Sequence, residues 1–174
     1  MKIIKTKFKD LKIIKHNNFA DKRGFLKFTY NKKIINWDNF IFDYIAYSKK
    51  NVFRGFHFQY KNQQAKLISV IKGKVLDCVV DLRKNSKTFG MYISTIISEK
   101  NSKSIFIPPG FAHGFCSLAN ENYVVYSCTK YREKKYEIGI QYNDKDLNIR
   151  WPIKNAIISK KDKNNLSFEE FRKI

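Results

Sequence analysis

The sequence predicts an all-β fold, a β-sandwich or barrel of the jelly-roll type with a few short peripheral helices. Three observations lead there. Short runs rich in β-branched and aromatic residues recur along the chain and are separated by turn residues. Some alternate with period two: in Val75 to Leu82, Leu76, Cys78, Val80 and Leu82 fall on one face and Val75, Asp77, Val79 and Asp81 on the other. Helix signals are thin, and only Ser167-Phe168-Glu169-Glu170 reads as a helix start, a capping box. Many short strands with few helices close most simply into a jelly roll, which can hold a ligand inside.

In chain order, Phe8 to Ile14 alternates weakly, and Asn17-Asn18 and Asp21-Lys22-Arg23-Gly24 mark turns. Phe25 to Tyr30 reads as a strand, Trp37-Asp38-Asn39 opens a loop, and Phe40 to Ser48 is strand-like. Lys66 to Ile71, then Val75 to Leu82 across a tight turn at Gly73, form the clearest pair. Met91 to Ile97 and Ser104 to Ile107 follow, Pro108-Pro109-Gly110 forces a turn, and Tyr123 to Tyr131 is a long strand with mixed faces. No repeat, linker or low-complexity tract interrupts them. Residues 1–174 are expected to form one domain, long enough to bury a core without staples.

Hydrophobic residues make up 43% of the chain, too many for disorder. No apolar run approaches a membrane span, and the start Met1-Lys2-Ile3-Ile4-Lys5 is too short and charged for a signal core, so a cytoplasmic location is expected. Cys78, Cys116 and Cys128 are an odd number in apolar stretches without close spacing, which argues for buried free thiols rather than disulfides or zinc. The net charge of +20 suits an anionic partner, but the lysines are scattered, so charge alone does not choose between a nucleotide substrate and nucleic acid.

The chemistry-bearing stretch is Arg54-Gly55-Phe56-His57-Phe58-Gln59, followed by Gln64-Ala65-Lys66-Leu67. It places an arginine, a histidine and a lysine in apolar, strand-like sequence, where such groups are costly to bury without partners. Taken alone, His57 reads somewhat more readily as a core histidine than as a base. His113, after the Pro108-Pro109-Gly110 turn, is open between the same readings, and a buried Asp77 is a plausible partner for a histidine. Tyr126 reads as core with its hydroxyl at an edge. Nothing local singles out Asp162. Three histidines in all, with His16 in a polar turn and Gln59 where a second ligand would stand, make a metal site improbable.

Taken together, the motifs resemble the dTDP-4-keto-rhamnose 3,5-epimerase family, cupin-type jelly rolls of nucleotide-sugar metabolism. The resemblance rests on an ordered series: Arg23-Gly24-Phe25, Arg54 to Gln59, Gln64 to Leu67, Gly73 to Asp77, Asp81-Leu82-Arg83, Ser86 to Gly90, Ile107 to Phe115, Tyr126, Ile149-Arg150-Trp151-Pro152 and Ser159 to Asp162. It implies His57 as general base, Asp162 as its orienting carboxylate, Tyr126 as acid on the opposite face of the sugar and Lys66 as the cation beside an enolate oxygen. It also implies that Arg54 holds diphosphate or sugar oxygens, that His113 and Asp77 serve the sugar, and that Gln59 contacts substrate. No cofactor is implied, because the substrate's C4 ketone is the electron sink. A homodimer is implied in which N-terminal strands, about residues 1–50, cross to the neighbour and Arg23 and Phe25 help bind its nucleotide.

The chain departs from the family pattern at substrate-contacting positions. Phe28 stands where a glutamate is usual, Tyr44 and Ala46 where glutamine and asparagine are usual, and a second tyrosine falls at Tyr131 or Arg132 depending on register. These departures suggest the same chemistry on a dTDP- or GDP-linked 4-keto-6-deoxy sugar or heptose for surface polysaccharide, at C3, C5 or both. A C3-only epimerase is the near alternative, and a non-catalytic jelly roll binding sugars or polyanions the distant one. Nucleic acid and membrane partners are not expected.

Overall fold

The computed structural model describes residues 1–174. Strands β1 (Lys2–Lys5), β2 (Lys12–Lys15), β3 (Phe19–Asp21), β4 (Gly24–Leu26), β5 (Phe42–Lys49), β6 (Phe53–Gln59) and β7 (Lys66–Lys72) fill the first half. β8 (Lys74–Asp81), β9 (Tyr92–Ser98), β10 (Lys103–Ile107), β11 (Phe111–Ser117), β12 (Glu121–Cys128) and β13 (Glu137–Gly139) follow. Helices α1 (Lys160–Lys163) and α2 (Phe168–Lys173) close the chain.

The strands form two antiparallel sheets and a small hairpin. The six-stranded sheet runs β1-β2-β10-β7-β12-β5, the five-stranded sheet β13-β6-β11-β8-β9, and β3-β4 stands apart. The neighbours are distant in sequence, as a jelly roll requires. Between the sheets lies a core including Ile68, Val70, Val75, Val79, Ile97, Ile105, Phe115 and Val124. The opposite parity of β8, Cys78 and Val80, packs with Phe56, Leu147, Ile149, Phe168 and Phe171. The C-terminal segment thus covers the outer face of the five-stranded sheet, and β11 is buried at every position. A third cluster of Ile14, Ile35, Ala65, Leu67 and Phe106 seals the other outer face.

The expected strands of the middle are present to within a residue or two. The stretch Phe25 to Tyr30 pairs only as far as Leu26, because Tyr30 turns away to pack edge-on against Phe40. The last long strand ends at Cys128, which leaves residue 131 in a loop. α2 begins with the expected capping box, Ser167 and Glu170 each satisfying the other's backbone N–H. All three cysteines are buried free thiols. His16 corrects the expectation of a polar turn: it is buried, with Nε2 2.8 Å from the Ser104 hydroxyl. No helix is long and apolar enough to cross a membrane.

Within the chain, β1 pairs with β2, β2 with β10 and β5 with β12. Of the N-terminal fifty residues, the strands without a partner beyond each other are therefore those of the β3-β4 hairpin.

Candidate active site

A cavity of about 720 Å³ opens between the sheets at one end of the sandwich. The five-stranded sheet contributes His57 and Arg54 from β6 and His113 from β11. The six-stranded sheet contributes Lys66 from β7, Tyr126 from β12 and Tyr44 from β5. Asp162 reaches the floor from α1. All four residues assigned catalytic roles from the sequence therefore meet in one cavity, with His57 on one sheet and Tyr126 and Lys66 on the other.

The His57 wall depends on a backbone detail. β6 and β11 set His57 opposite His113 and then shift register before Phe115. At that irregularity Gly55 approaches so closely that a Cβ there would lie 2.6 Å from the His113 carbonyl oxygen, and its φ of +119° also excludes ordinary side chains. The same approach turns the Gly55 N–H onto Asp162 Oδ2 at 3.2 Å.

Asp162 is not in a loop, as its sequence context suggests, but in the first turn of α1, where Ser159 caps its N–H. Its Oδ1 lies 2.7 Å from His57 Nε2. Burial works to raise the Asp162 pKa, but the His57 hydrogen bond and charge, with the Gly55 N–H, outweigh it and hold the carboxyl below its ordinary value. Ionised, it accepts the Nε2 proton and leaves Nδ1 of the partly exposed His57 ring as the basic atom.

The facing wall supplies an acid and a cation. Burial, then the neighbouring Tyr44 and Asp77, push the Tyr126 phenol well above its ordinary pKa, so it carries its proton at neutral pH. Tyr44 stacks on Tyr126 with centroids 4.6 Å apart and planes 6° from parallel, which fixes the ring. Burial lowers the Lys66 pKa, and the amine enters none of the chain's ion pairs. A half-buried cation without a counter-ion favours negative charge developing beside it. At the rim Arg54 donates to the Ser48 hydroxyl at 2.9 Å and the Tyr47 carbonyl at 2.8 Å.

Other expected contacts fall differently. His113 edges the cavity, but Asp77, expected to bind substrate, is fully buried behind it with Oδ2 2.8 Å from His113 Nε2. Gln59 does not line the cavity and braces the loop after β12, donating to the carbonyls of Asn62 and Tyr131 and accepting from the Glu133 N–H. Tyr131 is 68% exposed and stacks on Phe42, while Arg132 lines the cavity. Arg23, Phe25 and Phe28 lie on or beside the β3-β4 hairpin and do not line this chain's cavity. Arg23 pairs with Asp21.

Sequence reasoning missed Glu137, a cavity-wall carboxylate 7% exposed in its side chain. It accepts from Arg132 Nε at 2.6 Å and Nη2 at 3.0 Å, and pairs with Lys161 of α1. Burial acts to raise its pKa, but Arg132, Lys161 and His57 prevail and hold it at about 2.

The family model for dTDP-4-dehydrorhamnose 3,5-epimerase matches residues 5–170. Over 174 aligned residues the chain is 38% identical to the dTDP-4-dehydrorhamnose 3,5-epimerase of Shigella flexneri, covering 97% of this chain and 96% of that one. The Methanothermobacter thermautotrophicus enzyme of the same name is 39% identical over 94% of this chain and 92% of its own. The structure superposes on the Bacillus anthracis enzyme with TDP and pyrophosphate bound at a TM-score of 0.93 and 38% identity, covering 96% of this chain and 99% of that one. For a Legionella pneumophila enzyme in complex with dTDP-4-keto-L-rhamnose the TM-score is 0.90 at 37% identity, covering 94% and 90%. With a His–Asp pair, a tyrosine and a lysine meeting in the cavity of a jelly roll, and with this similarity along nearly its whole length, the chain belongs to the dTDP-4-dehydrorhamnose 3,5-epimerase family of isomerases.

Proposed function

We propose that the protein epimerises a dTDP-linked 4-keto-6-deoxy sugar at C3 and C5 without a cofactor. The observation that carries this reading is the division of the site between facing sheets, with the His57–Asp162 pair on one wall and Tyr126 with Lys66 on the other. A ketone at C4 acidifies the C–H bonds on either side of it. His57 Nδ1 takes the proton, and the bonding electrons move to the C4 oxygen as an enolate held by the Lys66 ammonium. The Tyr126 hydroxyl returns a proton to the opposite face of the same carbon, which inverts it. Exchange with solvent resets the imidazolium and the phenolate. Arg54 at the rim suits the diphosphate.

We also infer a homodimer whose β3-β4 hairpin reaches a partner. Phe19, Phe25, Leu26 and Phe28 are each 56–57% exposed there, a cluster costly to leave in water, and Arg23 beside them suits a neighbour's nucleotide. The chain acts as one domain, and its buried free thiols suit the reducing cytoplasm. A place in surface polysaccharide synthesis is consistent with the family.

The test is incubation with dTDP- and GDP-linked 4-keto-6-deoxy sugars in deuterated water, with NMR at C3 and C5. Deuterium at both carbons of the dTDP sugar is expected. Entry at C3 alone replaces the double epimerase with a mono-epimerase, and preference for the GDP sugar changes the nucleotide. No exchange with any of these sugars sinks the reading.

A further inference from the structure

Inverting two carbons requires two protons from the wall that faces the base. A single phenol spent on the first carbon must be recharged before it serves the second. In the six-stranded sheet β12 lies between β7 and β5, so Tyr126 has Lys66 to one side and Tyr44 to the other. Tyr44 and Tyr126 are register partners, and such partners present their side chains on the same face of the sheet. Their rings lie 6° from parallel with centroids 4.6 Å apart, and both line the cavity, so two phenols enter it side by side. Phe42 stacks on Tyr44 in turn, at 6.0 Å and 21°, and holds the second ring as Tyr44 holds the first.

The two phenols are alike in charge and unlike in access. Burial, then Cys128, pushes the Tyr44 pKa well above its ordinary value, so this phenol also carries its proton at neutral pH. Negative charge on Tyr44 opposes ionisation of Tyr126, so the pair favours holding one phenolate at a time. Tyr44 is 41% exposed and Tyr126 only 6%, which gives water the easier path to Tyr44.

We propose that Tyr44 is a second proton donor, which returns the proton at one of the two carbons flanking C4 while Tyr126 serves the other. This inference rests on the epimerase reading and deepens it. At the carbon it serves, the electrons of the enolate carbon–carbon double bond take the Tyr44 hydroxyl proton, and the electrons on oxygen re-form the C4 carbonyl. The phenolate left on Tyr44 takes a proton from water, and the His57 imidazolium gives its own to solvent. Two donors let the second centre invert without waiting for Tyr126 to be recharged.

The experiment compares wild type, Tyr44→Phe, Tyr126→Phe and the double variant on a dTDP-linked 4-keto-6-deoxy sugar in deuterated water. NMR follows washout and inversion at C3 and C5 separately. Phenylalanine keeps the stacked rings and removes the hydroxyls, and a merely structural role would slow both carbons alike. Tyr44→Phe is expected to stop at a sugar inverted at one carbon, with inversion at the other slowed about 10²-fold or more. Tyr126→Phe should lose the carbon that Tyr44→Phe keeps, and the double variant should invert neither. Washout at both carbons should persist in Tyr44→Phe, because His57 removes the proton. In Tyr44→Phe, inversion at both carbons within about threefold of wild type, equal slowing of both, or loss of washout together with inversion overturns the proposal. So does Tyr126→Phe that retains inversion at the carbon Tyr44→Phe keeps. Absence of washout from wild type sinks the epimerase reading itself, whereas wild-type inversion at one carbon alone overturns only the second donor.

Discussion

The five-stranded sheet carries two histidine–aspartate pairs side by side, and they differ in kind. His57 and His113 are register partners on β6 and β11, each with Nε2 on a carboxylate, at 2.7 Å to Asp162 and 2.8 Å to Asp77. The His57 side chain is 30% exposed and that of His113 is 4%. Both oxygens of Asp162 are hydrogen-bonded, whereas Asp77 Oδ1 is buried without a partner. One pair is therefore open to the cavity; the other is buried in its wall. The same two residue types form a base only where a ring nitrogen reaches substrate and the carboxylate is fully satisfied behind it.

The largest effect that tests this contrast is His57→Ala, expected to abolish deuterium exchange at every position, a loss of roughly 10²–10⁴-fold. Exchange within tenfold of wild type would transfer the base to His113 and dissolve the contrast. Asp162→Asn comes next, with kcat falling on the order of 10²-fold while the fold persists, since the amide favours the wrong imidazole tautomer. Asp77→Ala should instead act on stability, costing about 1–3 kcal/mol in urea denaturation because buried His113 loses its partner. If its catalytic loss equals that of Asp162→Asn at unchanged stability, the two pairs are equivalent. Tyr126→Phe should reduce net inversion more than initial washout, because it acts on reprotonation, and equal loss of the two would count against that role.

The smallest effect is in acid. Asp162 has a folded pKa below its unfolded value, so the stability it contributes is present above the ordinary carboxylate pKa of about 4 and is lost as pH falls through the folded value. Glu137 and Asp81, each held at about 2, behave the same way, Asp81 against desolvation through Arg83, Thr88 and Ser86. Denaturation midpoints should fall between about pH 4 and 2, and Asp162→Asn should flatten that slope. An unchanged slope would mean that the open pair is not linked to folding.

Most of the fold was legible because β8, β9 and β10 declare themselves locally, through alternation and a forced turn. The open pair was not. Asp162 lies 105 residues from His57 in a lysine-rich run that reads as a solvated loop, and only the ordered family motifs drew attention to it. Glu137 was hidden more completely. Glu133-Lys134-Lys135-Tyr136-Glu137 looks like surface, yet the carboxylate is buried between Arg132, at the head of the same loop, and Lys161 of α1. Gln59, which the resemblance assigned to substrate, instead uses its side-chain amide to brace the loop after β12.

With the base on one sheet and the acid on the other, the gap a proton must be handed across is the gap between two sheets, which packed hydrocarbon elsewhere in the sandwich holds apart. Val79, Ile68 and Val124, none of which lines the cavity, act as spacers for the reaction. Facing sheets stand about 10 Å apart, and close-packed interiors transmit a change of one methylene. Adding or removing a methyl group deep in this core therefore retunes a transfer distance at the far end of the sandwich, so that the rate of the chemistry becomes a ruler for the packing.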